Sequence, residues 1–433
     1  MDTISLFPHG TQVDDRNHLV IGGCDAVALA REFGTPLYVF DEATLRAKCS
    51  EYRREFAARH PDSLIIYACK AFINRALAQI LKEEQLGLDV VSGGELWIGR
   101  SVDFPMDRVY LHGNNKSEEE LRLALQWGVG RVVVDNFDEL SLLAGLAEKA
   151  GCRQEVLLRV SPGVDPHTHA YISTGVVDSK FGFPMPLAGD AVERSMALPH
   201  IDPVGLHFHI GSQIAELEPY GEAVRIVLQF AAEMNARYGF VLSELNVGGG
   251  LAISYVHGAP PPTVGEFAEA VVHSVLKHAA DGGLACPRLV VEPGRSVVGQ
   301  AGVALYTVGS VKVIPGVRKY VSIDGGMADN IRPALYQARY QAVAANKVHG
   351  ESERVTVAGR FCESGDVLIS DIDLPRLEPG DVVAVPCCGA YCLPMGSNYN
   401  AALAPAIVMV ADGKARLARR RETYEDLTRL DIV

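Results

Sequence analysis

No stretch of this 433-residue chain approaches the roughly 20 consecutive apolar residues that a bilayer crossing needs, so no membrane span is expected. Positive charge is in short supply: 40 Lys+Arg against 53 Asp+Glu leave a formal charge of −13. Any contact with nucleic acid or an anionic membrane would therefore be very local, and neither is expected as a partner. The opening, MDTISLFPHG, lacks both a basic segment and an apolar one, and no signal peptide is expected. Cysteine follows no framework spacing: nine residues, an odd number, are scattered through a long chain. They read as the reduced thiols of a cytoplasmic protein rather than as disulfides. There is no low-complexity tract and no repeat beyond the βα period described below. What is present is 48% hydrophobic and 21% charged residues, a balance that excludes intrinsic disorder. The length gives roughly three domains, or two if one is a large barrel.

Short apolar runs of strand type recur at Leu64–Lys70, Leu86–Ser92, Arg108–Gly113, Arg131–Asn136, Glu155–Ser161, Val204–Ile210, Glu244–Gly248 and Arg288–Glu292. Between them lie helix candidates such as Lys116–Trp127, Phe137–Ala150, Pro219–Tyr238 and Val264–Ala280. Near-continuous apolar strands separated by helices mean a parallel sheet covered on both faces. The number and spacing of these units predict a (β/α)₈ barrel over 41–295, with a doubly wound open sheet as the competitor. After Glu292 the texture changes. Val303–Ile314, Lys319–Asp324, Arg354–Ala358 and Asp381–Val385 read as strands punctuated by PG turns. They predict a β-rich second domain, 296–433, that residues 1–40, ending in TPLYVF, could join.

Chemistry in a barrel sits at the C-terminal strand ends. Those positions hold Lys70, Asp89 with Ser92–Glu95, Asn114, Arg159, His209, Gly248–Gly250 and Glu292–Arg295. Polar strand ends are common because loops are solvated, so the set carries more than any one member. Lys70, behind an apolar strand, is either a candidate Schiff-base amine or a snorkelling surface lysine. A tight turn needs one glycine or two, whereas Gly248, Gly249 and Gly250 with Glu292-Pro293-Gly294-Arg295 suit an anion at the loops after strands seven and eight. Alternation puts His207 and His209 on one face, as a metal pair requires. With His167 and His169 they keep a zinc or binuclear hydrolase open. Cys362 is a possible general acid in a shielded site. Cys387, Cys388 and Cys392 are poor chelators without a fourth ligand, and small core residues fit better. Pro333 suits the start of a helix, which would place Arg332 and Tyr336 on one side as two donors to a carboxylate, or simply cap a surface helix.

Taken together, YACKA, DVVSGGEL, HGNNKS, HTHAYISTG, SKFGF, GLHFHIGSQI, NVGGGL, EPGRSVVG, SIDGGMADNIRPALY, CESGD and GAYC resemble the diaminopimelate decarboxylases, among the fold-type III pyridoxal-phosphate decarboxylases. The eleven stretches fall in order within the span from about residue 35 to 400, YACKA starting at Tyr67 and GAYC ending at Cys392. The resemblance implies pyridoxal 5'-phosphate as cofactor, no metal, and Lys70 as its Schiff-base lysine. His209 would stack on the ring. Ser212, Gly248, Gly249, Gly250, Gly294, Arg295 and Tyr391 would hold the cofactor, mostly through its phosphate, and Glu292 would pair with the pyridinium nitrogen. A carboxylate there keeps the ring an electron sink, whereas alanine racemases of this fold place an arginine there.

The implied reaction converts meso-2,6-diaminopimelate to L-lysine and CO₂. Arg295, Arg332, Tyr336 and Tyr391 would bind substrate, with the distal carboxylate on the arginines and Tyr336. Glu363 would bind the distal ammonium, and Cys362 would protonate Cα. In the family the last two reach in from a partner subunit, which implies a homodimer with shared sites. The nearest rival is a decarboxylase of another basic or siderophore-type amino acid; a non-catalytic homologue and the metal hydrolase follow. Two stretches depart from the family's pattern. LPMGSNYN follows GAYC where more serine is expected, and Cys387-Cys388 precede it where a small hydroxyl residue is usual.

Overall fold

The computed structural model describes residues 3–165 and 180–432. The chain divides into two compact units, Lys48–Ala252 with Pro261–Ser296, and Met1–Ala47 with Ile253–Pro260 and Val297–Val433.

The first unit is a closed parallel barrel. Its strands are Ser63–Ala68, Gly87–Val90, Val109–Leu111, Arg131–Val134, Gln154–Ser161, Ile201–His207, Glu244–Asn246 and Arg288–Val291. Each pairs with the next, and Leu289 facing Ser63 joins the last strand to the first. Closure excludes the open doubly wound sheet. Ile66, Tyr110, Val133, Leu157 and Val290 form a buried layer inside the barrel, which is why these short strands are apolar along their length.

The helices begin and end where their caps dictate. Ser117 and Glu120 form a capping box before Glu118–Trp127, and Gly128 stops that helix in the left-handed region at φ 69°. Asn136 opens Phe137–Ala150 by accepting from the Glu139 N–H, and Gly151 stops it in the left-handed region at φ 64°. Thr263 with Glu266 opens Val264–Asp281, and Gly239 closes Glu218–Tyr238. Lys116, expected at a helix start, is instead a buried ammonium at the ends of strands three and four. Its three protons meet Gly113 O at 2.8 Å, Val133 O at 2.6 Å and Glu139 Oε1 at 2.8 Å. A buried charge persists only when satisfied in this way.

The second unit is built on one long sheet. Its order is Val367–Pro375, Ser352–Ala358, Arg318–Ile323, Gly302–Ile314, Leu37–Asp41, Ala406–Ala411 and Lys414–Arg419. The TPLYVF strand lies inside it, antiparallel to Gly302–Ile314 and parallel to Ala406–Ala411. Leu37, Val39, Val303, Leu305, Val408 and Val410 share its main core. A single barrel span of 41–295 does not describe this division, because Ile253–Pro260 belongs with the β-rich unit. The reason is contact: Cys387 Sγ lies 3.3 Å from Ser254 O, and Thr3 Oγ1 lies 3.2 Å from His257 Nε2.

Candidate active site

Six of the barrel's strand ends converge on one buried network. Lys70 lies in the short turn Cys69–Ala71 after strand one, and its Nζ donates to Asp89 Oδ2 at 2.7 Å. Asp89, in strand two, has no solvent exposure, so Lys70 is not a snorkelling surface residue. Asp89 Oδ1 lies 3.7 Å from His112 Nε2, just after strand three, and the same nitrogen lies 3.0 Å from Glu292 Oε1. Glu292, after strand eight, also accepts from Asn246 Nδ2 at 2.7 Å and pairs with His207 Nε2 at 3.4 Å.

Burial pushes the Glu292 carboxyl up, but the His112 and His207 imidazoles outweigh it and hold the group well below the usual carboxylate range. Burial lowers His207 to about 4 against the pull of Glu292, so its ring is neutral at pH 7. A carboxylate only accepts, so His207 Nε2 carries the proton. Burial, then the charge of Lys70, pushes His209 well below the ordinary histidine value. Its Nδ1 accepts from the Gly249 N–H at 3.2 Å, which leaves the proton of the neutral ring on Nε2.

His207 and His209 therefore do not form a metal pair. The strand ends at His207, alternation ends with it, and the second ring turns to the glycine loop. Among the described residues of the barrel, the donors that do cluster are His112, His207 and Glu292, within 4.8 Å of one another, and each histidine faces the carboxylate directly. His167 and His169 lie outside the described residues.

The three glycines are required by backbone packing. A Cβ on Gly249 would lie 2.0 Å from Glu292 O, and one on Gly250 would lie 2.3 Å from Gly211 O. Gly248 and Gly250 also adopt φ 70° and 115°. The Gly248 amide donates to Asn246 Oδ1 at 3.0 Å, so this amide and that of Gly249 already have protein acceptors. Beside the loop, Arg295 Nε and Nη2 approach Ser212 Oγ at 3.3 and 3.1 Å. A Cβ on Gly294 would lie 3.0 Å from the Ala68 Cβ, close beside the Lys70 turn.

In the β-rich unit, Arg332 and Tyr336 bound the five-residue helix Arg332–Tyr336. Arg332 is buried, yet no carboxylate among the described residues pairs with it. Its Nη1 donates to Tyr340 Oη, and its Cζ stands 4.7 Å from the centre of the Tyr255 ring. The phenols touching the guanidinium are thus Tyr340 and Tyr255; Tyr336 is partly exposed. Cys362 and Glu363 are exposed on the turn before Val367–Pro375. Asp366 ties that turn down, accepting from Phe361 N–H at 2.8 Å and Met327 N–H at 2.7 Å. Tyr391 is half-buried at φ 60°. Cys387, Cys388 and Cys392 are buried free thiols.

Two members of the barrel network, His112 and Asn246, and the two phenols at Arg332, Tyr255 and Tyr340, escaped the sequence reading. At strand three the sequence points to Asn114, whose carbonyl merely accepts from Asn136 Nδ2 at 3.3 Å. His112, two residues earlier, was the informative polar residue.

This constellation matches a known class. Residues 42–299 fit the family described as pyridoxal-dependent decarboxylase, pyridoxal binding domain. The diaminopimelate decarboxylase of Bacillus subtilis is 47% identical over 431 residues, covering 99% of this chain and 98% of that protein. The Synechocystis enzyme of the same name is 44% identical, covering 99% and 93%. The crystal structure of diaminopimelate decarboxylase from M. jannaschii in complex with L-lysine superposes with a TM-score of 0.93 at 37% identity, covering 98% of both chains. The chain belongs to the diaminopimelate decarboxylases.

Proposed function

We propose that this chain removes CO₂ from the D-centre of meso-2,6-diaminopimelate to give L-lysine, using pyridoxal 5'-phosphate. The residues present fit that cofactor: an amine at Lys70, a buried anion at Glu292 and a neutral imidazole at His209. Lys70 would hold the cofactor's carbonyl carbon and Glu292 its ring nitrogen. His209 would cover the ring, while Ser212, Gly248, Gly249, Gly250, Gly294, Arg295 and Tyr391 would enclose the phosphate. The engaged amides of Gly248 and Gly249 suit a shaping role better than a donating one. When bound, pyridoxal 5'-phosphate supplies a protonated pyridine ring that accepts the electron pair left by departing CO₂.

The observation that carries the proposal is Glu292, buried and held ionised by His112, His207 and Asn246. Such a carboxylate keeps a ring nitrogen protonated, the condition for decarboxylation rather than racemisation. Asp89 orients the Lys70 amine. Arg332, a buried cation without a carboxylate partner among the described residues, favours a substrate with a carboxylate at its far end. Arg295, Tyr336 and Tyr391 would assist it, Glu363 would receive the distal ammonium, and Cys362 would deliver a proton to Cα. The exposure of Cys362 and Glu363 supports a homodimer in which they serve the partner's site. Among the described residues no helix is long and apolar enough to cross a membrane, in keeping with a cytoplasmic enzyme.

The test is chiral product analysis after incubation with pyridoxal 5'-phosphate and meso-diaminopimelate. L-Lysine with equimolar CO₂ is expected. A yellow protein that releases no lysine would move the substrate to another amino acid.

A further inference from the structure

We infer that Tyr340 and Cys392 are positioning residues for the carboxylate that Arg332 receives, and that selectivity for ligands bearing a distal carboxylate depends on both. The inference rests on the proposed substrate and adds residues that the family resemblance does not assign.

Arg332 sets the direction of donation. A guanidinium has donors only, so in its contact with Tyr340 the phenol oxygen accepts. The phenol proton must then point elsewhere, and the neighbouring acceptor is Cys392 Sγ at 3.5 Å. The Cys392 thiol lies 3.7 Å from Ala390 O and passes its own proton there. Donation therefore runs one way, from Arg332 through Tyr340 and Cys392 to the backbone just before Tyr391. Every side chain in the relay is buried. A buried chain of this kind polarises along its length and fixes each rotor.

The rings fix the remaining freedom. Tyr255 lies under the guanidinium, and the Tyr255 and Tyr340 rings meet edge to face at 5.4 Å and 86°. These partners orient the cation, but none is a carboxylate. The guanidinium's Nε and Nη2 donate to no protein group among the described residues, which leaves that edge of the planar fork for a carboxylate. Cys392 closes the GAYC stretch, so the relay ends beside Tyr391.

The test compares wild-type holoenzyme with Tyr340→Phe, Cys392→Ala and Cys392→Ser. The measurements are kcat and KM for meso-diaminopimelate, and competition by L-lysine and by cadaverine, which is lysine without its carboxylate. Tyr340→Phe should raise KM and the L-lysine inhibition constant by roughly tenfold or more, the worth of one hydrogen bond to a charged group. The cadaverine constant and kcat should stay within about twofold, because a lost uniform-binding contact moves KM alone. Cys392→Ala should move the same two quantities in the same direction by roughly threefold, and Cys392→Ser should restore them. Equal shifts for lysine and cadaverine, or no shift in either, overturn the inference; the alanine–serine pair decides it if Tyr340→Phe does not fold. A wild type that releases no lysine overturns the substrate reading, whereas an active wild type with unaltered variants overturns the inference alone.

Discussion

Lys70 Nζ and Asp89 Oδ2 meet at 2.7 Å across the ends of two neighbouring parallel strands, placing a partly exposed amine on a fully buried carboxylate. The pair holds the amine in one place before any ligand arrives. Lys70→Ala should abolish turnover, and borohydride reduction should attach cofactor mass to the Lys70 peptide of the wild type only. Turnover near the wild-type rate in this variant would sink the scheme.

Asn246 ties Glu292 to the glycine loop, donating to the carboxylate at 2.7 Å and accepting the Gly248 N–H at 3.0 Å. Asn246→Ala removes both bonds. A hydrogen bond to a charged group is worth about 1.5–3 kcal/mol, so kcat/KM should fall about tenfold to a hundredfold. Steady-state kinetics on cofactor-saturated protein checks this, and a change below twofold would remove Asn246 from the machinery.

Stability should depend on pH through His207. Its ring titrates at about 4 in the fold, against 6.5 ordinarily, so between these values the unfolded chain takes up the proton first. The folded state is therefore favoured most fully above pH 6.5 and loses up to about 3 kcal/mol as the pH falls toward 4. Glu292 acts in the same sense lower down: its contribution is present above 4.5 and is lost as pH falls through its depressed native value. Urea unfolding between pH 4 and 7 should show a shallower dependence in His207→Gln than in wild type. Identical slopes would rule out a buried neutral His207.

Lys70→Ala and Cys362→Ala should each be inactive alone. If the sites are shared between subunits, unfolding and refolding the two together should restore up to about a quarter of wild-type activity, because half the dimers are mixed and each mixed dimer has one intact site. No recovery would place both residues in one subunit's site.

Gly249→Ala would drive a Cβ to 2.0 Å from Glu292 O, a backbone atom that no rotamer change can move. Overpacking of this kind costs about 1–3 kcal/mol, so the melting temperature should fall and cofactor affinity with it. Thermal unfolding with and without pyridoxal 5'-phosphate reads both.

The barrel was legible because its strands are buried on both sides and spell out apolar runs, and because Ser117, Asn136 and Thr263 mark helix starts through their side chains. Lys414–Arg419 was not, because an edge strand that is exposed almost throughout has no burial pattern to display. Lys70, His209 and Glu292 stood out as polar residues ending apolar strands. Tyr340 was hidden by a bend. Helical spacing from Arg332 points to Tyr336, but Gln337 turns left-handed at φ 54° and ends the helix, and the returning chain brings Tyr340 to the guanidinium instead. His112 was hidden because a histidine beside strand three has no meaning until Asp89 and Glu292 are known to flank it.

The strand Leu37–Asp41 faces Ala406–Val410 in parallel register, with Leu37 opposite Ala406. One of these partners precedes all the barrel strands in the chain, and the other follows them all. The barrel strands can pair as they emerge, whereas the second sheet waits with an apolar edge until translation has passed the barrel and reached Ala406. A chain cut short of Ala406 leaves that edge unpaired, and the expected product is an aggregate carrying a well-formed barrel.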